Sequence, residues 1–252
     1  MCNDLQEKVA IVTGGGRDIG RHICLELANR GAKVVVNYHS SKMEANDTVN
    51  MIRENGGQAI AVQADVTNPD SIESLVQRSV AEFGKSIHIL VNNAGGLVAR
   101  KTMEEMDSDF WDTVMTLNLK STFLVTKQVL SHIPEGGAIV NLSSLAARNG
   151  GGGGAIAYST SKGGVLTFTR GLAKELSNRK IRVNCVSPGL INTTFHDTFT
   201  PDDARSNTAD STAVGREGTP AEVGKTVAFL ASDESSYIDG ESIEINGGLY
   251  FN

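Results

Sequence analysis

The sequence has little cysteine, no excess of positive charge and no long apolar run, and each absence excludes a class of protein. Its 252 residues carry a net charge of −6, which argues against nucleic acid or an anionic membrane as the main partner. No apolar run reaches the roughly 18 residues of a membrane span. The N-terminal residues lack the basic start and apolar core of a signal peptide. We therefore expect a cytoplasmic protein that binds neither nucleic acid nor membrane.

The few cysteines and histidines indicate neither a disulfide framework nor a metal site. Cys2, Cys24 and Cys185 are odd in number and scattered along the chain. Cys24 falls in a helical pattern and Cys185 in a strand pattern, which favours buried thiols in a reducing compartment. The five histidines show no metal-ligand spacing, so we predict no metal site.

Short β-branched runs alternate with longer helical patterns along the whole chain. The strand-like runs are nearly continuously apolar, which is typical of a parallel sheet covered on both faces. The alternation predicts right-handed βαβ units, and the chain length suits one α/β domain over residues 1–252. We therefore expect a doubly wound, seven-stranded Rossmann fold with helices on both faces. The predicted strands are Lys8–Gly14, Ala32–Tyr38, Gln58–Asp65, Ile87–Gly95, Ala138–Ser144, Ile181–Gly189 and Ser242–Asn246.

Helical patterns fill most of the segments between these strands. The clearest cover Asp18–Arg30, Pro69–Phe83 and Ala157–Ser177, and Asn68 is a natural cap for the second of them. A further long helix is expected over Met103–Ser131. Two segments are expected to be exceptions to the compact fold: a glycine run, residues 150–154, and a polar segment, residues 193–212.

The stretch TGGGRDIG, residues 13–20, follows the first strand and opens the first helix. A strand, a glycine turn and a helix in this order form the dinucleotide fingerprint. Gly14, Gly15 and Gly16 allow a tight turn, and Gly20 lets the helix lie close to the sheet. The cofactor's diphosphate is expected at the free N–H groups of the helix start.

Asp18 is unusual in this turn, because an acid stands where such loops usually have glycine. Its carboxylate either repels the diphosphate or caps the helix that it opens, and we favour the cap. Arg17 and Arg21 flank it and offset its charge. On this hypothesis Asp18→Gly changes cofactor affinity by less than about tenfold, or ~1.4 kcal/mol.

The end of the second strand indicates which nicotinamide cofactor is preferred. An acid about 20 residues after the glycine turn would bind a ribose 2′-hydroxyl and select NAD. This strand ends instead with Tyr38, His39 and Ser40, and Arg17 stands in the glycine turn. Hydroxyls and cations suit a 2′-phosphate, so the sequence favours NADPH, the alternative being a solvated polar turn without preference.

The stretch YSTSK places Tyr158 and Lys162 four residues apart on one face of a predicted helix. A nearby ammonium favours tyrosinate and lowers the pKa of the phenol. Tyr158 is then a proton donor to a carbonyl oxygen near neutral pH. The alternative is an amphipathic helix that carries Tyr and Lys at this spacing by chance.

Five motifs in order make the chain similar to the short-chain dehydrogenase/reductase family over essentially its whole length. They are TGGGRDIG (13–20), NNAG (92–95), NLKS (118–121), NLSS (141–144) with YSTSK (158–162), and SPGLINT (187–193). The resemblance implies catalysis by Ser144, Tyr158, Lys162 and Asn118, with Ser143 as the rival of Ser144. It also implies an NADPH site, with NADH possible, formed by Gly14, Gly16, Arg17, Asp18, Ile19, Gly20, Tyr38, His39, Ser40, Asp65, Val66, Asn93, Ala94, Gly95, Tyr158, Lys162, Pro188, Gly189, Ile191 and Thr193.

Substrate choice is expected to depend on the loops at the carboxyl ends of the strands. Arg100, Arg148 and His196 lie in three of these loops and, if they converge, suit a carboxylate. These loops also resemble a bacterial subgroup that reduces sugar-derived carbonyls, which implies 4-deoxy-L-erythro-5-hexoseulose uronate as substrate. The alternatives are a 3-oxoacyl-[acyl-carrier-protein] reductase and a non-catalytic NADP-binding protein. The resemblance further implies a homotetramer.

Overall fold

A seven-stranded parallel sheet forms the centre of the computed structural model, which describes residues 4–251. Its strands are Val9–Val12 (β1), Lys33–Tyr38 (β2), Gln58–Gln63 (β3), Ile89–Asn92 (β4), Ala138–Leu142 (β5), Arg182–Pro188 (β6) and Ser242–Ile245 (β7). They lie in the order β3-β2-β1-β4-β5-β6-β7, and every neighbouring pair is parallel. The prediction of a Rossmann-like α/β fold is confirmed.

Helices cover both faces of this sheet. They are Asp18–Asn29 (α1), Lys42–Glu54 (α2), Pro69–Phe83 (α3), Ser108–Met115 (α4), Ser121–Val129 (α5), Ala146–Asn149 (α6), Ile156–Leu176 (α7), Thr194–Phe199 (α8), Asp202–Ser211 (α9) and Pro220–Ala231 (α10). The buried side chains of α1, α2 and α10 share one apolar cluster, and those of α3, α5 and α7 share another. The helices therefore pack in two layers, one on each side of the sheet.

Alternation along β1 explains how one short strand serves both layers. Ala10 and Val12 belong to the cluster with α1, whereas Ile11 belongs to the cluster with α3. Successive side chains of a strand point to opposite faces. A strand that is buried on both sides must therefore be apolar at every position, as this one is.

The predicted cap at Asn68 is confirmed, and the long helix expected over Met103–Ser131 is present from Ser108 onward but lacks its first five residues and includes a π-helical turn. The Asn68 Oδ1 atom accepts the N–H groups of Asp70 and Ser71 at 3.0 and 3.1 Å. Between Met103 and Ser131 a helix begins only at Ser108, where the Asp107 carboxylate caps it. One π-helical turn, residues 116–120, then separates α4 from α5. The apolar periodicity crosses these interruptions, so it did not indicate them.

The polar segment 193–212 contains the two short helices α8 and α9. No helix among residues 4–251 is long and apolar enough to cross a membrane. Cys24 and Cys185 are buried free thiols, as predicted, and Cys2 lies outside the described residues.

Candidate active site

A cleft of about 1180 Å³ opens at the carboxyl ends of the strands. It lies where the strand order reverses between β1 and β4, which is where open α/β sheets bind their ligands. Most residues that the sequence predicted for the site line this cleft. They are Gly14, Arg17, Asp18, Ile19, Gly20, Tyr38, His39, Ser40, Asn93, Ala94, Gly95, Arg100, Ser144, Tyr158, Lys162, Pro188, Gly189, Ile191, Thr193 and His196.

The glycine turn has the close packing that a diphosphate cradle requires. A Cβ on Gly20 would overlap the carbonyl oxygen of Gly14, so the start of α1 can approach the turn only with glycine there. Gly14 has a φ of +61°, in the left-handed region that favours glycine. The buried side chain of Asn37 supports the turn from below, because its Oδ1 atom accepts the Gly14 N–H at 3.2 Å. These features fit a bound dinucleotide.

Asp18 does not cap the helix that it opens, so that prediction is wrong. The N-cap of α1 is Arg17, which makes no side-chain cap hydrogen bond. The Asp18 carboxylate turns away and accepts the main-chain N–H of Thr194 at 3.2 Å and its hydroxyl at 2.6 Å. Asp18 has a φ of +49°, and this left-handed backbone aims its side chain across the cleft rather than along α1.

Three predicted cofactor residues lie outside the cleft lining. Gly16 packs against Ala45 of α2, where an added Cβ would lie 3.1 Å from the Ala45 nitrogen. Asp65 ends β3 and accepts both the N–H and the hydroxyl of Thr67, at 2.8 and 2.7 Å. These bonds lower the pKa of the Asp65 carboxyl. Val66 is buried in the cluster with α3.

The two adjacent serines after β5 have different environments. The Ser143 hydroxyl is buried and donates to the main-chain carbonyl of Lys162 at 2.8 Å. The Ser144 hydroxyl instead faces the cleft, accepts the Ala146 N–H at 3.1 Å and neighbours the Tyr158 phenol. Ser144 is therefore the serine available to a ligand.

Tyr158 and Lys162 share the cleft-facing side of α7, as their spacing predicted. The expected lowering of the Tyr158 pKa is wrong: burial raises this pKa, and the hydrogen bond with the Ser144 hydroxyl only partly opposes it. The Lys162 ammonium is 5.8 Å from the centre of the tyrosine ring and donates to the Leu142 carbonyl at 2.8 Å. Its own burial lowers its pKa to about 8.

Asn118 lies behind the cleft in the π-helical turn, fully buried. Its Oδ1 atom accepts the Gly96 N–H, and its Nδ2 atom donates to the carbonyls of Gly96 and Val114, each at 2.9 Å. The side chain is thus held in one orientation beside Gly95. This places Asn118 next to the lysine, although it does not line the cleft.

The three residues predicted to bind a substrate carboxylate do not converge. Arg148 does not line the cleft, because its Nε atom donates to the Glu244 carboxylate at 3.0 Å, on the β7 side of the protein. His196 lines the cleft, but burial and then the charge of Arg205 lower its pKa, so it is neutral near pH 7. Arg100 lines the cleft and donates to the carbonyls of Phe199 and Gly153. The predicted clamp of three residues is therefore wrong, and Arg100 is the one arginine of the three that lines the cleft.

Apolar and aromatic side chains form a wall of the cleft that the sequence did not indicate. The rings of Phe195 and Tyr158 lie 6.0 Å apart between centres, and Phe195 also packs on Phe199. Leu97 and Val98 line the cleft as well, and Val98 has a φ of +67°, an outlier for a β-branched residue. No sequence pattern marked these positions, because they come from separate loops.

Comparison with known proteins places the chain among reductases. Residues 14–250 match the family model described as enoyl-(acyl carrier protein) reductase. The chain is 39% identical to 3-oxoacyl-[acyl-carrier-protein] reductase of Staphylococcus epidermidis, over 96% of this chain and 99% of the relative. It is 38% identical to versicolorin reductase of Emericella nidulans, over 98% of this chain and 97% of the relative.

Solved structures agree with these relatives. A short-chain dehydrogenase/reductase from Serratia marcescens is 34% identical and superposes with a TM-score of 0.91, covering 98% of this chain and 99% of that chain. A blue fluorescent protein from a metagenomic library, in complex with NADPH, is 32% identical, with a TM-score of 0.91 over 98% of this chain and 100% of that chain. The cleft, the glycine turn and these matches together show that the chain belongs to the short-chain dehydrogenase/reductase family of NAD(P)(H)-dependent oxidoreductases.

Proposed function

We propose that this protein is an NADPH-dependent ketone reductase and that its substrate is a 3-oxoacyl thioester. The observation that carries the proposal is the position of Ser144 and Tyr158 in one cleft, with Lys162 behind them and an apolar wall opposite. Ser144 and Tyr158 provide hydrogen bonds to a carbonyl oxygen. The apolar wall provides a surface for an acyl chain.

Each polar residue has a distinct role in this proposal. Ser144 hydrogen-bonds the substrate carbonyl and orients it, because its hydroxyl faces the cleft. Tyr158 donates its proton to the carbonyl oxygen as that oxygen gains charge. Lys162, still mostly protonated at pH 7 with a pKa near 8, stabilises the tyrosinate that this transfer leaves. The Asn118 amide hydrogens are used by Gly96 and Val114, so the remaining lone pair of its Oδ1 atom, beside Lys162, would hold the water through which the tyrosine regains a proton.

The cofactor supplies the hydride that reduces the carbonyl carbon. The glycine turn and the start of α1 would hold its diphosphate. Tyr38, His39 and Ser40 line the far end of the cleft, and the Arg17 side chain is 62% exposed nearby. A 2′-phosphate finds hydroxyls and a cation there, and the NADPH complex of the blue fluorescent relative supports the same choice.

The substrate class is inferred from the lining of the cleft and from the relatives. Phe195, Phe199, Leu97 and Val98 suit an apolar chain. Arg100 takes part in none of the ion pairs within residues 4–251 and donates there only to main-chain carbonyls, so its charge is available to a phosphate of the thioester's carrier. The staphylococcal relative is named as a reductase of carrier-bound 3-oxoacyl groups. We propose the same reaction class for this chain.

A second candidate substrate is the uronate 4-deoxy-L-erythro-5-hexoseulose uronate. The observation that favours it is that Arg100 and His196 line the same cleft and are polar. The pairing of Arg148 with Glu244 removes one cation from the proposed carboxylate clamp. The thioester is therefore the better-supported substrate.

The test is NADPH oxidation, followed by absorbance, with acetoacetyl-CoA and with the uronate in parallel. We expect turnover with the thioester and at least tenfold lower kcat/KM with the uronate. Tyr158→Phe should lose at least a hundredfold in kcat, because a phenyl ring has no proton to donate, while keeping its affinity for NADPH. Turnover in Tyr158→Phe equal to that of the parent would instead identify a non-catalytic binding protein or a different proton donor.

Arg100→Ala separates the two substrates further. On the thioester proposal, KM for acetoacetyl-CoA rises in this variant, whereas KM for a thioester that lacks the phosphate-bearing carrier does not. A parent enzyme that reduces the uronate faster than the thioester would overturn the proposal in favour of a sugar-acid reductase.

Apolar side chains on the helical surface support assembly as a homotetramer. Met103 precedes α4, Phe123 lies on α5 and Ile156 begins α7, and their exposures are 71%, 45% and 43%. A contiguous apolar patch at a surface is typical of an interface, and we propose that these side chains belong to one. Light scattering during size exclusion tests this, and a monomer would contradict it.

A further inference from the structure

The Asp18 carboxylate connects two parts of the cleft that are 176 residues apart in the sequence. One part is the glycine turn, where the cofactor's diphosphate would lie. The other is the first residue of α8, Thr194. Thr193, the N-cap residue of α8, makes no side-chain cap hydrogen bond. Asp18 provides that cap from across the cleft, since its Oδ1 accepts the free Thr194 N–H and its Oδ2 accepts the Thr194 hydroxyl.

Helix α8 carries the aromatic part of the substrate wall. Phe195 follows Thr194 directly and packs 6.0 Å from the ring of Tyr158, and its ring meets His196 at 5.1 Å. The start of α8 therefore determines where this wall lies relative to the tyrosine. A bond that fixes Thr194 also fixes Phe195.

The presence of an aspartate at position 18, which makes these bonds to Thr194, has two energetic costs. Its backbone is in the left-handed region, which is unfavourable for residues with a Cβ, although aspartate tolerates it better than most. Its negative charge also stands in the turn that would receive the anionic diphosphate, with the Arg17 Nε atom at 3.8 Å as a weak counter-charge. Glycine at this position would have neither cost. The two bonds to Thr194 are what glycine would lose.

We propose that Asp18 is a positioning residue that holds α8, and with it the substrate wall, against the cofactor turn. Its negative charge, separately from this contact, weakens the binding of the diphosphate. The proposal does not depend on which carbonyl compound is the substrate. It requires only that the cleft binds a nicotinamide dinucleotide.

Three variants separate the hydrogen bonds of Asp18 from its charge. Asp18→Gly removes the carboxylate and the backbone strain. Asp18→Asn removes the charge, keeps an oxygen that accepts from Thr194, and tolerates the left-handed backbone. Thr194→Val removes the hydroxyl and keeps the main-chain N–H.

Two measurements without turnover test the proposal. Trypsin cleavage after Arg205, in α9 beyond α8, reports opening of this segment, and NADPH fluorescence gives the cofactor Kd. We expect Asp18→Gly to be cleaved at Arg205 at least fivefold faster than Asp18→Asn, with Thr194→Val between them. Both Asp18 variants should bind NADPH more tightly than the parent, by less than tenfold, because both lack the charge.

A third measurement separates positioning from a general structural role. With acetoacetyl-CoA, Asp18→Gly should raise KM at least fivefold relative to Asp18→Asn, with a much smaller change in kcat. If acetoacetyl-CoA is not a substrate of the parent, the proposed function fails, while cleavage and NADPH binding still decide the role of Asp18. Equal cleavage rates in Asp18→Gly and Asp18→Asn, or weaker NADPH binding in both, would overturn the proposal.

Discussion

Asn118 and Lys162 approach each other across Gly95. A Cβ atom on Gly95 would lie 2.6 Å from the Asn118 Oδ1 atom and 3.2 Å from the Lys162 Nζ atom. The glycine therefore belongs to the geometry of the site as much as the two polar side chains do. The next residue, Gly96, holds the Asn118 amide by both its N–H and its carbonyl.

Replacing Gly95 by alanine should disrupt this arrangement. The new methyl group requires Asn118 or Lys162 to move, and misplacement by about 1 Å costs on the order of a hundredfold in rate. We expect kcat for acetoacetyl-CoA reduction to fall at least tenfold. Gly96→Ala is the matched control, because its Cβ meets nothing within 4 Å. Losses of equal size in the two variants would contradict this account of Gly95.

The ion pair between Arg148 and Glu244 predicts a loss of stability without a loss of substrate binding. Both side chains are only 16% exposed, and the second Glu244 carboxylate oxygen is buried with no hydrogen-bond partner among the described residues. Arg148→Ala leaves this carboxylate buried and uncompensated, which should lower the free energy of unfolding by about 3 kcal/mol. Urea unfolding measures the loss.

Two further results are expected for this pair. Arg148→Ala combined with Glu244→Gln should recover part of the loss, since the buried charge is then absent. KM for acetoacetyl-CoA and for the uronate should match the parent in Arg148→Ala, because Arg148 does not line the cleft. If KM rose for the uronate alone, this would contradict the prediction and would indicate that Arg148 binds the uronate.

The sequence predicted those features whose causes are local. β-branched runs indicated all seven strands, and Asn68 before proline indicated a cap that the structure contains. The sequence also predicted that the glycine turn and the pair Tyr158 and Lys162 belong to one site. Both line the cleft, because the carboxyl ends of parallel strands meet at one edge of the sheet. Local pattern and strand direction together were sufficient for these.

Features decided by distant partners were not predictable in this way. Asp18 bonds a residue 176 positions away, and Arg148 pairs with one 96 positions away. From the sequence alone, Asp18 was predicted to cap a helix and Arg148 to bind a carboxylate. In the folded protein each side chain instead contacts a partner that is distant in the sequence. The raised pKa of Tyr158 has the same origin, because spacing indicates the nearby lysine but not the depth of burial.

Lys162 predicts a specific dependence of stability on pH. Its pKa of about 8 lies below that of an unfolded lysine, near 10.4, so between these values the unfolded chain binds more protons and the contribution of Lys162 to stability rises with pH.

Cys24 and Cys185 oppose this slope, because burial raises their thiol pKa values. Lys162→Met retains both thiols, and although the Lys162 charge lowers the pKa of Cys185, burial still holds that pKa at about 11, so the thiol stays protonated up to pH 9.5 with or without the lysine. The difference between Lys162→Met and the parent over this range therefore reports the lysine. We expect Lys162→Met to be more stable than the parent near pH 7.5, and its advantage to shrink by about 2 kcal/mol by pH 9.5. Urea unfolding at the two pH values measures this difference, and an advantage that stays constant would mean that the ammonium is not buried as described.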